Sequence, residues 1–340
     1  MSAAGPGGLP LLRDNPEDLR ALVSSAAAHL ELDPSFVEKD FWVTEVLRAA
    51  TGPRTVVDKM GAVHEVRLIF KGGTSLSKVF GLIQRFSEDV DLLVEFPPGA
   101  DLSLKARDGV LKGICAAVQS HLSLSDEDCQ RGNPTTGIKR DVRFLCPTGY
   151  EDDAVTSGVL LEMGCRGGTY PTVDASLSSL LAIHAIGQLG DDRHAWAEYA
   201  PVPVVALGPE RTLLEKVALL HDAATRFTPD TPQRLLRAGR HLYDVHQLLG
   251  SARVRDALSA IGPDARRALC DDIDAHSAGA GFSHSPRPPQ GYAHSPAFDP
   301  QHPSQDAARR GYEQALRLVH GPKPAFGECG DIVRKHADLL

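Results

Sequence analysis

Residues 70–96 read FKGGTSLSKVFGLIQRFSEDVDLLVEF and constrain the fold more than any other part of the chain. The alternating apolar run that leads into them ends at Gly72-Gly73, which predicts a strand followed by a tight turn. Apolar residues then recur at three- and four-residue steps, as one face of a short helix: Leu76, Val79, Phe80 and Ile83. The sequence therefore predicts a strand, a glycine turn and a helix in immediate succession.

A second predicted strand follows, and it carries two carboxylates on one face. Val90, Leu92 and Val94 share the apolar face, so Asp89 and Asp91 share the other, about 7 Å apart along the strand. Two carboxylates this close repel each other unless a cation neutralises them. Mg²⁺ commonly binds one or two protein carboxylates together with substrate phosphates. The pattern predicts a site for a metal-bound nucleoside triphosphate, and the simpler alternative is a hairpin edge with two solvated aspartates.

Gly72-Gly73 followed by Asp89-Val90-Asp91 resembles the Gly-Gly/Ser … Asp-x-Asp signature of the nucleotidyltransferase superfamily. The longer string KGGTSLSK…RFSEDVDL is similar, nearly letter for letter, to the AbiEii/AbiGii family of abortive-infection toxins, which includes the MenT-like toxins. This family is the toxin half of bacterial toxin–antitoxin pairs. The resemblance extends upstream to EKDFWV at residues 38–43, which is similar to an EKDYW segment of the family.

The resemblance implies a nucleotidyltransferase that uses Mg²⁺, with Mn²⁺ as a substitute, and an NTP substrate. Asp89 and Asp91 are expected to act in catalysis and to bind the metal. The expected nucleotide contacts surround the glycine turn and continue on a later helix: Lys71, Gly72, Gly73, Thr74, Ser75, Ser87, Arg237 and Arg240. The motif residues Glu38, Lys39 and Asp40 have no expected chemistry, and the pattern of their helix predicts a solvated face.

A third acid comes from a later strand in the nucleotidyltransferase fold. The run GVLLEMGCR at 158–166 sets Glu162 among apolar residues, which predicts a buried carboxylate that needs a partner or a metal. Glu162 is therefore expected as the third metal ligand, with Asp141 as the competitor. The alternative for Glu162 is an ion pair with a nearby arginine: Arg140, Arg143 or Arg166.

Helical periodicity dominates after a series of prolines between residues 171 and 209, which predicts a domain boundary near residue 205. Together with the resemblance, this change predicts an α/β (α+β) fold. A nucleotidyltransferase-type lobe with a mixed β-sheet and N-terminal helices would occupy residues 1–205. A helical C-terminal lobe would occupy residues 206–340.

Two predicted helices of the second lobe carry the remaining motifs. Lys216 falls close to the apolar side of a helix that begins at Pro209, and by pattern alone it would be a surface lysine. The segment TLLEKVALLH is similar to the second motif of the family, whose lysine faces the nucleotide phosphates. The resemblance therefore implies a catalytic Lys216 that neutralises the charge of the leaving pyrophosphate.

The next predicted helix, residues 232–249, has one face with three basic side chains and an acid: Arg234, Arg237, His241 and Asp244. Residues 211–250 hold six Lys/Arg and four Asp/Glu, a net of +2, so a basic patch suited to phosphate or RNA backbone is local. RHLYD resembles the last motif of the family, in which an arginine (Arg240 or Arg237) and Asp244 complete the site. An Arg240–Asp244 pair on a solvated face is the alternative.

Composition excludes several other classes of protein. The net charge of −8 disfavours a general nucleic-acid coat protein, which would be strongly basic. The six cysteines lack zinc-site spacing and indicate reduced thiols. The N-terminal residues lack the apolar core of a signal peptide, and no run reaches the length of a membrane span. We therefore expect a cytoplasmic protein with no membrane partner. The histidines between 276 and 302 are expected to be exposed loop residues.

The expected activity is transfer of a nucleotide monophosphate from an NTP to an RNA acceptor. For the studied members of the family that acceptor includes the tRNA 3′ end, and its modification blocks translation. A cognate antitoxin protein is the expected partner. Two alternatives remain: the same chemistry on a small molecule or a protein side chain, and a non-catalytic module that binds nucleotide.

Overall fold

The computed structural model describes residues 8–87, 89–150, 156–279 and 284–340. The chain divides into two compact units, each assembled from three segments. The first unit contains Met1–Thr74, Glu88–Cys165 and Asp174–Ala206. The second unit contains Ser75–Ser87, Arg166–Val173 and Leu207–Leu340. That the lobes 1–205 and 206–340 are domains in their own right stays a prediction.

The first unit combines a sheet with amphipathic helices. Its helices are α1 (Pro16–Leu30), α2 (Pro34–Ala50), α3 (Gly72–Lys78, which continues into the second unit), α4 (Leu104–His121) and α5 (Leu180–His184). The strands are β1 (Arg54–Val57), β2 (Val63–Lys71), β3 (Asp89–Glu95), β4 (Cys129–Arg131), β5 (Lys139–Phe144), β6 (Val159–Gly164), β7 (Thr172–Leu177) and β8 (Val202–Leu207). Short 3₁₀ turns at Leu12–Asp14 and Ala197–Tyr199 and a π turn at Ala185–Leu189 complete it.

The strands form one mixed sheet in the order β4-β5-β6-β3-β2-β8-β7, and β1 pairs with β2 beside this path. The pairs β2–β8 and β3–β6 are parallel, whereas β1–β2, β2–β3, β4–β5 and β5–β6 are antiparallel. Helices α2 and α4 pack against these strands and against each other. A mixed sheet with helices confirms the predicted fold class.

The helix starts follow the sequence signals, with differences in detail. Asp33 caps α2 by accepting a hydrogen bond from the Ser35 amide at 2.8 Å. Asn15 precedes α1, but its side chain donates to the Leu11 carbonyl instead of capping the helix. Ser103 caps α4 by accepting a hydrogen bond from the Ala106 amide at 3.1 Å.

The helix predicted after the glycine turn is shorter than the periodicity suggested. It begins at Gly72 itself and ends at Lys78, so Val79, Phe80 and Ile83 follow it as a turn. Phe80 and Ile83 are nevertheless buried, since turns as well as helices can bury apolar side chains. Strand β3 has the predicted alternation, because Val90, Leu92 and Val94 are buried while Asp89 and Asp91 are half-buried.

The second unit is helical. Its helices are α6 (Pro209–Thr225), α7 (Gln233–Ala238), α8 (Arg240–Gly250), α9 (Ala252–Gly279, kinked at Gly262), α10 (Gln305–Ala315) and α11 (Phe326–Lys335). Short 3₁₀ turns occur at Tyr292–His294, Pro296–Phe298, Leu316–Leu318 and Ala337–Leu339. The predicted apolar side of α6 is fully buried in its core: Leu213, Leu214, Val217 and Leu220.

The prediction of a single helix over residues 232–249 is wrong, because α7 and α8 are separate helices that meet at Gly239. A Cβ on Gly239 would lie 2.3 Å from the carbonyl carbon of Gly311 and 2.5 Å from the amide nitrogen of Tyr312. The backbone at this junction is thus in direct contact with α10, and only glycine leaves room for it. Helical periodicity within one segment does not reveal such a contact.

Two further expectations concern membrane-spanning helices and the state of the cysteines. No helix within the described ranges is both long and apolar enough to cross a membrane. The six cysteines are thiols, of which Cys115 and Cys165 are half-buried and the others are buried.

Candidate active site

Strand β3 presents the two predicted aspartates beside other charged residues of the sheet. Asp91 lies opposite Lys71 of β2 and next to Glu162 of β6, which in turn lies opposite Asp141 of β5. Residues paired in this way project from the same face of a sheet. The register therefore brings one lysine and three carboxylates into a single row across four strands.

Gly72 touches this row through its backbone. Its φ is +79°, and a Cβ at this position would lie 2.0 Å from Asp91 Oδ2. Only glycine is compatible with both the dihedral angle and this close approach. Thr74, two residues later, is 1% exposed and its hydroxyl donates to the Asp89 carbonyl. The glycine turn and the aspartate strand are therefore held directly against each other.

The remaining predicted contacts near the turn differ in their burial. Thr74 and Ser75 are buried, so the predicted role of their hydroxyls in phosphate binding stays a prediction that their burial does not favour. Gly73 and Ser87 are half-buried, and Gly73 lies in the first turn of α3.

Glu162 is not the buried acid that its apolar neighbours suggested. Its side chain is 39% exposed, because β6 directs Leu161 and Met163 to the core and Glu162 to the opposite face. Its partner is also not one of the three arginines considered, since Lys139 Nζ lies 3.5 Å from its Oε1. Lys139 also approaches Asp141 Oδ1 at 3.7 Å and so bridges the two candidate third acids.

The two aspartates of β3 fit a hard divalent cation. Asp89 and Asp91 supply carboxylate oxygens, the ligands that Mg²⁺ and Mn²⁺ prefer, and two such ligands suffice when phosphates complete the shell. In the part of the chain that the structure describes, no three His, Cys, Asp or Glu side chains converge as a metal cage. The residues therefore fit an ion shared with a phosphate ligand better than a fully protein-bound one.

The second unit contains a buried ionic cluster around Asp244 of α8. This carboxylate is fully buried, and Lys216 Nζ of α6 donates to its Oδ2 at 2.8 Å. The guanidinium of Arg85 donates two hydrogen bonds to the same carboxylate, from Nε to Oδ1 at 3.1 Å and from Nη2 to Oδ2 at 3.2 Å. Lys216 is 5% and Arg85 3% exposed, so the surface position that pattern alone suggested for Lys216 is wrong.

The environment shifts the pKa values of Asp244, Lys216 and His241 in this cluster. Burial raises the pKa of Asp244, but the charges of Arg85 and Lys216 outweigh it and hold that pKa well below its usual range. Burial lowers the pKa of Lys216, and the attraction of Asp244 partly opposes this shift. Burial and the charge of Lys216 lower the pKa of His241 to about 4. The imidazole is therefore neutral at physiological pH, and its Nδ1 lies 3.3 Å from Lys216 Nζ as a hydrogen-bond acceptor.

The arginines predicted beside Asp244 do not share its position. Arg237 and Arg240 are exposed, whereas Asp244 is fully buried, so the single polar face predicted for residues 232–249 is wrong. Arg234 instead pairs with Asp222 at 2.5 Å. The alternative of an Arg240–Asp244 pair is also wrong, because the ion-pair partners of Asp244 among the described residues are Arg85 and Lys216.

Arg85 was missed because nothing in its local sequence identifies it. It lies within the string RFSEDVDL that carries the resemblance, but an arginine in a loop is ordinarily solvated. The segment around it is fixed in the second unit by backbone bonds: the Phe86 amide donates to Leu318 O at 2.8 Å and the His320 amide to Gln84 O at 3.0 Å. The burial of Arg85 is therefore apparent only in the folded structure.

The EKD segment of α2 is buried, so the predicted solvated face is wrong. Glu38, Lys39 and Asp40 are 6%, 6% and 8% exposed. Glu38 accepts hydrogen bonds from the amides of Gly149 and Tyr150 at 2.8 and 3.3 Å, and burial raises its pKa although these bonds oppose the shift.

The two neighbours of Glu38 bind other parts of the first unit. Lys39 donates to the carbonyls of Thr156 and Gly158, directly before β6. Asp40 accepts from the Leu180 amide at 2.7 Å, at the start of α5. The segment thus binds residues 149–150, residues 156–158 and the first residue of α5.

A family model described as nucleotidyl transferase AbiEii toxin, type IV TA system, matches residues 60–330 of the 340-residue chain. No curated protein matches the sequence. The match covers the glycine turn, the aspartate strand and the cluster around Asp244. The chain therefore belongs to the AbiEii family of nucleotidyl transferase toxins of type IV toxin–antitoxin systems.

Proposed function

We propose that the protein transfers a nucleotide monophosphate from an NTP to the 3′ end of tRNA and so blocks translation. The observation that carries this proposal is the Asp89–Asp91 pair on β3 with the Gly72 backbone against the Asp91 carboxylate. Membership of a nucleotidyl transferase toxin family supports the transfer chemistry. The cytoplasm is the proposed compartment, because NTPs and tRNA are found there.

A divalent cation, Mg²⁺ or Mn²⁺, is the proposed cofactor, with Asp89 and Asp91 as its protein ligands. When bound, such an ion would neutralise phosphate charge and favour ionisation of the acceptor hydroxyl. Glu162 is the proposed third ligand, because it is the carboxylate next to Asp91 in strand register. Lys71, directly opposite Asp91, is proposed to bind a phosphate oxygen near the same row.

The other proposed nucleotide contacts follow the resemblance. Gly72 and Gly73 leave room for phosphate oxygens near their backbone amides, and the neighbouring residues proposed to contribute are Thr74, Ser75 and Ser87. Arg237 and Arg240 are exposed and suit contacts with phosphates of the nucleotide or the RNA. Lys216 and Asp244 are proposed as catalytic residues, with the lysine offsetting the negative charge that develops on the leaving pyrophosphate.

A cognate antitoxin is the proposed protein partner, as the type IV classification of the family implies. Production of this chain without its partner should then arrest growth. Arrest that disappears in a variant lacking Asp89 would connect the toxicity to the transfer reaction.

The direct test incubates the pure protein with total tRNA, Mg²⁺ or Mn²⁺, and each of the four labelled NTPs in turn. We expect label on tRNA with at least one NTP, and loss of labelling in Asp89→Asn. The matched control is Glu95→Gln, which removes a carboxylate at the opposite end of the same strand, where it pairs with the partly exposed Arg67. Glu95→Gln should label tRNA as the wild type does.

The acceptor is tested in the same experiment. Digestion of the labelled tRNA to its terminal nucleoside shows whether the label is at the 3′ end. Label on a small molecule or on protein, with none on tRNA, would show that the protein transfers a nucleotide to an acceptor other than RNA. Nucleotide binding without transfer to any acceptor would instead support a non-catalytic module.

A further inference from the structure

The cluster around Asp244 contains two cations and one anion. Arg85 binds both carboxylate oxygens at 3.1 and 3.2 Å, and Lys216 binds Oδ2 at 2.8 Å. His241 is neutral and adds no charge. The cluster therefore carries one positive charge in excess, and its three charged members are at most 5% exposed.

The hydrogen bonds of Lys216 leave one of its donors unused. An ammonium group has three donors. One reaches Asp244 Oδ2 and one reaches His241 Nδ1 at 3.3 Å. Among the residues described, the ammonium has no third partner. The donors of Arg85, by contrast, bind Asp244 from Nε and Nη2 and the Phe86 carbonyl from Nη1. Each of the three guanidinium nitrogens thus has an acceptor, whereas the single ammonium nitrogen of Lys216 has one donor left for a further acceptor.

An uncompensated cation in a buried setting is costly unless an anion joins it. We propose that Arg85 is a positioning residue which occupies the Asp244 carboxylate, so that the Lys216 ammonium keeps a free donor for a phosphate oxygen. The proposal rests on the proposed function in one respect: the phosphate comes from the NTP or from the RNA acceptor.

The role of Arg85 follows from the charge count. Without Arg85, Lys216 and Asp244 would form a one-to-one pair, and a phosphate would have to compete with the carboxylate for the ammonium. With Arg85 in place, the carboxylate is already satisfied by a fork of two hydrogen bonds, the geometry in which arginine binds carboxylates best. Arg85 thus acts on the substrate through Asp244 and Lys216.

The experiment measures the binding of inorganic pyrophosphate by calorimetry in a series of variants, with thermal unfolding as the check that each is folded. Arg85→Gln removes the excess charge, Arg85→Lys keeps it, and Asp244→Asn raises it by one. The double variant Arg85→Gln/Asp244→Asn restores it by removing one charge of each sign. The control is Arg226→Gln, which changes an exposed arginine directly after α6 that is paired with Asp222.

Pyrophosphate affinity is expected to follow the charge count. Arg85→Gln should bind about tenfold or more weakly than the wild type, the scale of one charge-assisted hydrogen bond. Arg85→Lys and the double variant should recover most of that loss, and Asp244→Asn should bind at least as tightly as the wild type. A purely structural role for Arg85 would not restore binding in the double variant. Arg226→Gln should match the wild type.

Binding like the wild type in folded Arg85→Gln would overturn the proposal, as would a double variant no tighter than Arg85→Gln. The same series with tRNA in place of pyrophosphate identifies the source of the phosphate, because only the natural source should follow the charge count when both probes bind. These measurements need no turnover. A wild type that binds pyrophosphate in this pattern but transfers no nucleotide would uphold the cluster and refute the proposed function.

Discussion

Gly72 and Asp91 are in contact in a way that leaves no space for a side chain on the glycine. The ideal Cβ position on Gly72 lies 2.0 Å from Asp91 Oδ2 and 2.9 Å from its Cγ, and the φ of Gly72 is +79°. The glycine turn and the Asp-x-Asp strand, which the family signature separates by many residues, therefore form one piece of structure. The Asp91 carboxylate, a proposed metal ligand, can lie where it does because Gly72 has no side chain.

Gly72→Ala should displace the Asp91 carboxylate and abolish nucleotide transfer. The positive φ costs a non-glycine residue roughly 1–2 kcal/mol, and forcing a methyl group into occupied space costs a further 1–3 kcal/mol or so. The measurements are labelled-NTP transfer to tRNA and the free energy of unfolding by denaturant.

Gly81→Ala is the matched control for backbone strain. Its φ is +61°, and no atom lies within 4 Å of its ideal Cβ position. It should lose about 1 kcal/mol of stability and keep its transfer rate. If Gly72→Ala retained the same activity as Gly81→Ala, the contact with Asp91 would have no functional weight.

Local sequence predicted much of the first unit's framework. The alternation in β3 fixed which face carries Asp89 and Asp91, and the glycine pair marked the end of β2 and the start of α3. Both depend on neighbouring residues alone, which is why they could be read directly. The resemblance added the family, which the match over residues 60–330 confirms.

Contacts between distant segments were beyond the sequence. The burial of Lys39 depends on carbonyls more than 110 residues away, and that of Arg85 on a carboxylate 159 residues away. The prediction that Glu162 is buried is wrong for a different reason. Its apolar neighbours along the strand lie on the other face of the sheet, so they do not indicate whether Glu162 itself is buried. The break at Gly239 likewise depends on the close approach of α10.

Lys39→Met should destabilise the first unit. The ammonium of Lys39 satisfies the carbonyls of Thr156 and Gly158, and its loss leaves two acceptors in a largely buried setting without their donor. Each such group costs about 1–3 kcal/mol, so we expect a loss of roughly 2–4 kcal/mol in the free energy of unfolding.

The control for Lys39→Met is Lys59→Met. Lys59 pairs with Asp101 at 2.8 Å, but its side chain is 59% exposed, and such pairs contribute less than about 1 kcal/mol. Equal stability losses in the two variants would show that the buried contacts of the EKD segment contribute no more than a surface ion pair does.

His241 should make the stability of the protein depend on pH in a mildly acidic range. Its pKa is about 4 in the folded protein and near 6.5 when exposed in the unfolded chain. Between these values the unfolded state binds a proton that the folded state excludes, so the free energy of unfolding falls as the pH falls from about 6.5 to about 4. The contribution of this residue is on the order of 3 kcal/mol.

His241→Asn removes the titrating ring and keeps an oxygen that can accept from Lys216. Denaturant unfolding at a series of pH values should then show a shallower loss between pH 6.5 and 4 than in the wild type. Asp244 adds a separate loss at lower pH, because its folded pKa lies well below its usual value and its stabilisation disappears as it is protonated. Parallel curves for wild type and His241→Asn would contradict the assignment of this pH range to His241.

Glu162 and Asp141 can be separated as candidates for the third metal ligand. Glu162 lies beside Asp91 on the neighbouring strand, about 5 Å away, whereas Asp141 lies one strand further, at about 10 Å. Glu162→Gln should therefore weaken Mn²⁺ binding by about tenfold, the scale of one charge-assisted contact, and Asp141→Asn should leave it unchanged. Calorimetry with Mn²⁺ and a non-hydrolysable NTP measures both.

Lys139 makes this comparison demanding, because it approaches both carboxylates, at 3.5 Å for Glu162 and 3.7 Å for Asp141. When either acid is removed, Lys139 can pair with the other one alone. Lys139→Met is therefore combined with each variant, so that the lysine no longer responds to the substitution. A loss of Mn²⁺ affinity that follows Asp141→Asn in both backgrounds, with Glu162→Gln neutral, would make Asp141 the third ligand, because only direct coordination would persist after the lysine is removed.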